Sequence, residues 1–161
     1  MGIKVDKRMV DAVCRYLDKC AKIVHDEIMN TLSYLGETCI IKIRDRSGAD
    51  SWFDQTGNLR SSIGYAVYNN GVSVIESAFR QVLDGQEGVE AGRKMINELA
   101  SKYATTYALV VVAGMNYADK VEAMDNKDVL ASTELWARKT IDSYLERAKE
   151  KALKKINSLK L

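Results

Sequence analysis

The 161 residues, 47% apolar and 29% charged, suffice for one domain with a buried core that needs no metal or disulfide, which excludes global disorder. Twenty-four basic against twenty-two acidic side chains leave a formal charge of +2, so the whole-molecule field favours neither nucleic acid nor a membrane, and any such case must be local. No run approaches the ~18 apolar residues of a membrane span, and Met1-Gly2-Ile3-Lys4-Val5-Asp6 lacks the apolar core of a signal peptide, which predicts a cytosolic, unprocessed protein.

From residue 6 to residue 35 apolar residues recur at helical spacing: Met9, Val13, Tyr16, Leu17, Cys20, Ile23, Val24, Ile28, Leu32 and Leu35. Asp6 stands where an N-cap belongs, and Gly36 follows as a stop. At roughly thirty residues, or about 45 Å, such a helix is expected to reach past its own core. Cys14 and Cys20 lie about 240° apart around its axis, so no face presents both to a metal; with Cys39 they read as buried thiols in a reducing compartment. His25 is the one histidine, and without a second it reads as a boundary side chain.

Cys39-Ile40-Ile41-Lys42-Ile43 either extends the helix or begins a strand. Residues 44–51, Arg44-Asp45-Arg46-Ser47-Gly48-Ala49-Asp50-Ser51, read as an exposed, mobile loop. Trp52 and Phe53 are either an anchor for the adjoining turn or a sticky contact, the anchor being favoured. In Asp54-Gln55-Thr56-Gly57-Asn58-Leu59-Arg60-Ser61-Ser62-Ile63, Thr56 or Asp54 caps a short helical turn and Gly57 relieves the backbone. Leu59 and Ile63, four apart, share a buried face. Arg60 and the serines then face solvent or lock the turn.

Gly64–Tyr68 and Val72–Phe79 flank Asn69-Asn70-Gly71, a β-hairpin signal. Asp84–Gly88 makes a turn, and Glu87–Tyr103 reads as a helix with Val89, Ile96, Leu99, Ala100 and Tyr103 inward. Tyr107–Gly114 is a continuous, valine-rich apolar run, the mark of a strand covered on both faces or at the sheet centre. Tyr117–Ala123 follows, then a turn at Asp125–Asp128. A last helix starts at Ser132 or Thr133, with Glu134 in its first turn, and runs to about Leu159. Its expected inner stripe is Leu135, Ile141, Leu145, Ala148, Ala152, Ile156 and Leu159. The order predicts an α+β fold, with a small antiparallel or mixed sheet, a hairpin, long terminal helices and one central helix. A single domain, 1–161, is expected, with its core at about 52–145.

No phosphate loop, zinc-protease motif or nucleophile elbow is present, and one histidine rules out H-E-x-x-H. Gly85, Gly88 and Gly92 are better explained by a turn than by a dinucleotide loop, since no strand immediately precedes them. Asp125–Asp128 opens like a calcium loop but lacks its glycine and closing acid. Catalysis, cofactors and metals are therefore not predicted. The basic end of the last helix, with Arg147, Lys149, Lys151, Lys154 and Lys155, could contact phosphates. It lacks the aromatic interleaving of a single-strand binder, and a solvated or partner-facing helix end is the favoured reading.

T-G-N-L-R-S-S-I-G at 56–64, the Tyr-rich hairpin, the strand ending Ala113-Gly114, and N-Y-A-D-K-V-E-A at 116–123 together resemble the tail-completion or head-tail joining proteins of tailed bacteriophages. The resemblance covers roughly residues 52–141. It rests on Thr56, Gly57, Asn58, Leu59, Arg60, Ser62, Ile63, Tyr117, Ala118, Val121 and Glu122. The family commonly follows Val-Glu with an aromatic, a glycine and a proline-containing loop, where this chain reads Ala123-Met124-Asp125-Asn126-Lys127. The resemblance implies a non-enzymatic structural protein of the virion neck or tail end, made in the host cytoplasm. Its expected partners are other neck, connector and tail-tube proteins and copies of itself in a ring, with non-specific contact to passing DNA and none to a membrane. Arg60 and Glu122, the charged residues fixed within the two motifs, are expected to pair and so join them. The alternative from another class is a small nucleic-acid-associated protein using the basic helix end.

Overall fold

The structure is a computed structural model that describes residues 6–46, 51–124 and 127–159. Helix α1 runs Lys7–Arg44, and Asp6 caps it as expected, its Oδ1 accepting the Arg8 N–H at 2.9 Å. The helix passes through Gly36 instead of ending there, so Cys39–Ile43 extends it. The reason lies across the interface. A Cβ at position 36 would stand 2.5 Å from Cδ2 of Tyr65, so the glycine lets an aromatic ring lie on the helix. The Tyr65 hydroxyl then reaches Ser33 Oγ and Glu37 Oε1, both at 3.1 Å, two side chains four residues apart that flank Gly36 and share one helix face.

After the single turn α2 (Asn58–Ser61), strands β1 (Ile63–Asn69) and β2 (Val72–Glu76) form the predicted hairpin. Asn70 and Gly71, at φ of 50° and 79°, both adopt the left-handed conformation that a tight two-residue hairpin turn demands. Helix α3 (Gln86–Leu99) continues as a 3₁₀ turn to Tyr103, and strand β3 (Tyr107–Ala113), α4 (Ala118–Glu122) and α5 (Ala131–Asn157) follow. The fold is α+β, with one three-stranded antiparallel sheet ordered β2-β1-β3. The valine-rich β3 is therefore an edge strand, with its first half only partly covered. The centre belongs to β1, buried along all but its last residue. A continuous apolar run reports burial but not which neighbour a strand acquires.

The chain separates into two compact units, Leu32–Ile141 and Met1–Thr31 with Asp142–Leu161. In the first, side chains alternate across the sheet. Ala66, Tyr68, Val110 and Val112 pack with Phe79, Val89 and Ile96 on the α3 side, and Tyr68 donates its hydroxyl to the Ile96 carbonyl. Tyr65 turns the other way, onto α1. In the second unit Lys155 of α5 pairs with the buried Glu27 of α1, while Ala148 and Ala152 are buried. Because α5 ends two residues past Lys155, residues 7–22 of α1 lie exposed, save half-buried Tyr16 and Cys20.

The inner stripe expected on α5 is corrected at Leu135 and Leu145, and the apolar face of α1 extends past its core, as its length suggests. Met9 is 70% exposed and Leu17 59%, and Val13, Val24, Leu135 and Leu145 are exposed too. Helical periodicity marks an apolar face but not whether the same chain covers it. Asp125 and Asn126 of the turn expected at 125–128, and the loop residues 47–50, lie outside the described residues.

Candidate functional site

The turn at 54–63 is built by Asp54. One carboxylate oxygen accepts the Gly57 N–H at 2.9 Å and the other the Arg60 N–H at 2.8 Å. Thr56 adds a longer bond to the Asn58 N–H at 3.3 Å. Gly57 is obligatory, since its φ is 80° and a Cβ there would strike the Val82 carbonyl. Leu59 and Ile63 are buried as the spacing predicts.

The serines do the locking. Ser61 Oγ accepts the Val82 N–H at 2.8 Å, and Ser62 Oγ donates to the Leu59 carbonyl at 2.8 Å while accepting the Met115 N–H at 3.3 Å. Together with the Gly114 N–H donated to the Ser62 carbonyl at 3.1 Å, this last bond brings the end of β3 onto the turn. Asn58 reaches the start of α3, accepting the Gly88 N–H at 3.2 Å and donating to Glu87 at 3.1 Å.

The two motifs thus meet, but at the residues just before the second one. Tyr117 stands at the junction. Burial first, then the carboxylates of Asp54 and Glu87 beside it, raise the pKa of its hydroxyl. Ala118 and Val121 are half-buried on α4.

Arg60 and Glu122 do not pair, and this expectation is corrected. The Arg60 guanidinium lies over the Trp52 ring, 4.9 Å from its centroid, and donates to the carbonyl of Arg44, the last residue of α1, and at 3.4 Å to that of Arg46. Glu122 serves the other kind of helix end. Its carboxylate accepts the N–H groups of Val129 at 3.1 Å, Leu130 at 2.7 Å and Ala131 at 3.2 Å, capping α5. The Ser132 or Thr133 cap expected for this helix is replaced by that arrangement and by Asp128, which accepts the Ser132 N–H at 3.2 Å. Glu134 instead pairs with Arg138 at 2.7 Å.

Trp52 is the buried anchor, while its neighbour Phe53 is fully outward at 78% exposure. Reading 44–51 as a solvated loop missed two arginines. Arg44 donates to the Ile63 carbonyl at 2.8 Å; burial, then the charges of Arg80 and Arg60, lower its pKa. Arg46, with 14% of its side chain exposed, pairs with Asp128 at 2.8 Å and donates to the hydroxyls of Ser132 and Thr133. In sequence, the available signal was two arginines directly after an amphipathic helix, where cations suit the dipole. The lone Asp128 gave none.

The basic helix end is partly engaged within the chain. Lys155 meets Glu27, Lys149 meets Glu146 at 3.1 Å, and Arg147 lies 5.8 Å from the Tyr144 ring centroid. Lys151 and Lys154 are exposed. Among the described residues, no three His, Cys, Asp or Glu side chains are grouped as metal ligands would be. A shallow groove of about 250 Å³ runs between Glu87, Lys94 and Glu98 of α3 and Gly114–Asn116. The arrangement holds parts together: one turn collects the end of α1, the start of α3 and the end of β3. No protein-family model, curated protein or solved structure matches the chain.

Proposed function

We propose that the chain is a structural subunit of a tailed-bacteriophage virion, placed at the neck or tail end, where it joins tail to head by binding other proteins and copies of itself and not by catalysis. The phage assignment rests on the resemblance of the two ordered motifs. The assembly role rests on one physical observation: residues 7–22 of α1 hold a helical turn-by-turn stripe, Met9, Val10, Val13 and Leu17, all exposed. Exposed apolar surface of this kind is the usual mark of a protein contact site, and subunits that order on assembly carry such surface before their partners arrive. Imaging of phage particles that lack the protein tests the reading. Tail-less heads beside free tails support joining, and normal virions refute it.

A second reading is favoured by Lys151 and Lys154, which have no ion-pair partner among the described residues. A nucleic-acid role through this helix end requires DNA affinity that falls steeply with salt and is lost when the two lysines are neutralised.

A further inference from the structure

The parity of the β1–β3 ladder decides which groups on β3 look outward. Its end bonds, Gly114 N–H to the Ser62 carbonyl and Asn70 N–H to the Thr106 carbonyl, both at 3.1 Å, continue the register in which Ala66 faces Val110. In an antiparallel pair hydrogen-bonded positions alternate, so Ala108, Val110 and Val112 bond to β1. The N–H and C=O groups of Leu109, Val111 and Ala113 point away from it, and among the described residues the order β2-β1-β3 places no strand beyond them.

The two edges of the sheet differ. On β2 the register shifts between Val67 and Tyr68 of its partner, which puts a bulge at Val74, and the strand ends on Glu76; a bulge and a charge are both devices that discourage further pairing. Along β3, Tyr107-Ala108-Leu109-Val110-Val111-Val112-Ala113 contains no charge, no proline, no glycine and no bulge.

We infer that β3 is the seam of a two-fold dimer, in which it pairs antiparallel with β3 of a second copy of this chain. The occupant is argued from self-complementarity. With Val110 on the axis, Leu109 lies opposite Val111 of the other copy and Val111 opposite Leu109, so these two outward residues of each copy exchange hydrogen bonds reciprocally, as an isologous contact requires, while Ala113 falls opposite Tyr107 beyond them. The facing side chains are then aliphatic, Val110 with Val110 and Ala108 with Val112 on the α3 side, and no like charges meet. A head-to-tail contact would instead use the bulged, Glu76-bearing edge. The result is a continuous sheet of two three-stranded halves. This inference rests on strand geometry and stands or falls apart from the phage assignment.

The test is sedimentation velocity on the full chain across concentrations up to about 0.1 mM, with hydrogen exchange of the Leu109 and Val111 amides followed in parallel. A dimer is expected, with those two amides slowing as concentration rises. Val111→Pro deletes an outward N–H that makes no bond within the protomer, so an edge strand tolerates it. Two hydrogen bonds per dimer are lost, and dissociation is expected to be about thirty-fold easier. Should that variant fail to fold, Val110→Cys serves: non-hydrogen-bonded partners lie close enough for a disulfide, and oxidation should link the two introduced thiols, as peptide mass spectrometry would show. A monomer throughout this range overturns the inference and leaves the edge to a strand from another protein. A dimer whose Leu109 and Val111 amides exchange at the monomer's rate overturns it equally, moving the contact elsewhere, for instance to the apolar stripe of α1.

Discussion

Replacing Gly36 by alanine sets two well-understood effects against each other. Inside a helix the substitution should stabilise by about 0.5–1 kcal/mol, because glycine loses more backbone freedom on folding. Here the new methyl would lie 2.5 Å from Cδ2 and 2.7 Å from Cε2 and Cγ of Tyr65, about 1 Å inside the separation at which carbon atoms attract. The ring has little freedom to retreat, since it is fully buried and its hydroxyl is held by Ser33 and Glu37. Overpacking of this sort costs about 1–3 kcal/mol, and three simultaneous close contacts put it at the upper end. Gly36→Ala is therefore expected to destabilise by about 2 kcal/mol net, or about 4–8 °C in Tm for a chain of this size, measured by urea and thermal unfolding. In a Tyr65→Leu background the obstruction is gone and the same substitution should become stabilising. A Gly36→Ala protein as stable as the parent, or a penalty unchanged when Tyr65 is replaced, would refute the packing argument and restore Gly36 as an ordinary helix glycine.

Glu122→Ala removes the acceptor for three N–H groups at the start of α5 and should cost about 1–3 kcal/mol in urea unfolding; in a double-mutant cycle with Arg60→Ala the coupling should stay below about 0.5 kcal/mol, whereas a larger coupling would mean the two side chains do pair. For Asp128, burial alone would raise the pKa, but the Ser132 hydroxyl and N–H and the Arg46 guanidinium outweigh it and hold the carboxyl below its ordinary value. A depressed pKa means stability that is present above the unfolded value of about 4 and is lost as pH falls through the folded one, so the advantage of the parent over Asp128→Asn should be constant near neutrality and shrink below about pH 4. A gap that widens in acid would contradict the sign. Burial pushes the Cys39 thiol up to about 11, with Lys42 drawing it partly back, and Cys39 is fully enclosed while Cys14 is exposed. Alkylation followed by mass spectrometry should modify Cys14 in the native protein and Cys39 only in denaturant; early labelling of Cys39 would contradict its burial.

The elements that sequence made legible are those whose signals are local. Asn70-Gly71 dictates a turn through its own backbone preferences, and the Leu59–Ile63 spacing needs only one helical turn to become a buried face. The α+β order follows from such pieces in succession. What stayed hidden depends on which surfaces meet. Gly36 reads as a stop until an aromatic ring from a strand 29 residues later is placed on it. The periodic stripe at Met9, Val13 and Leu17 reads only as one apolar face, because periodicity cannot register where along α1 the cover from α5 stops. Arg46 reads as loop because its partners, Asp128, Ser132 and Thr133, lie more than eighty residues away.

The Arg60–Glu122 expectation failed for a related reason. Opposite charges in two motifs that fold together suggest a pair, and an exposed pair would contribute about 0–1 kcal/mol. Helix ends compete for the same groups. Each terminus leaves up to four backbone groups without a partner inside the helix, and an unsatisfied buried group costs about 1–3 kcal/mol. Arg60 goes to the carbonyl end of α1 and Glu122 to the amide end of α5, and each charge has the sign that the helix dipole favours there. Satisfying two helix ends outweighs one ion pair. The same residue types that would have clasped the motifs to each other instead fix both long helices to the core, so substitution at either position should loosen a helix end first and leave the contact between Ser62 and Met115 in place.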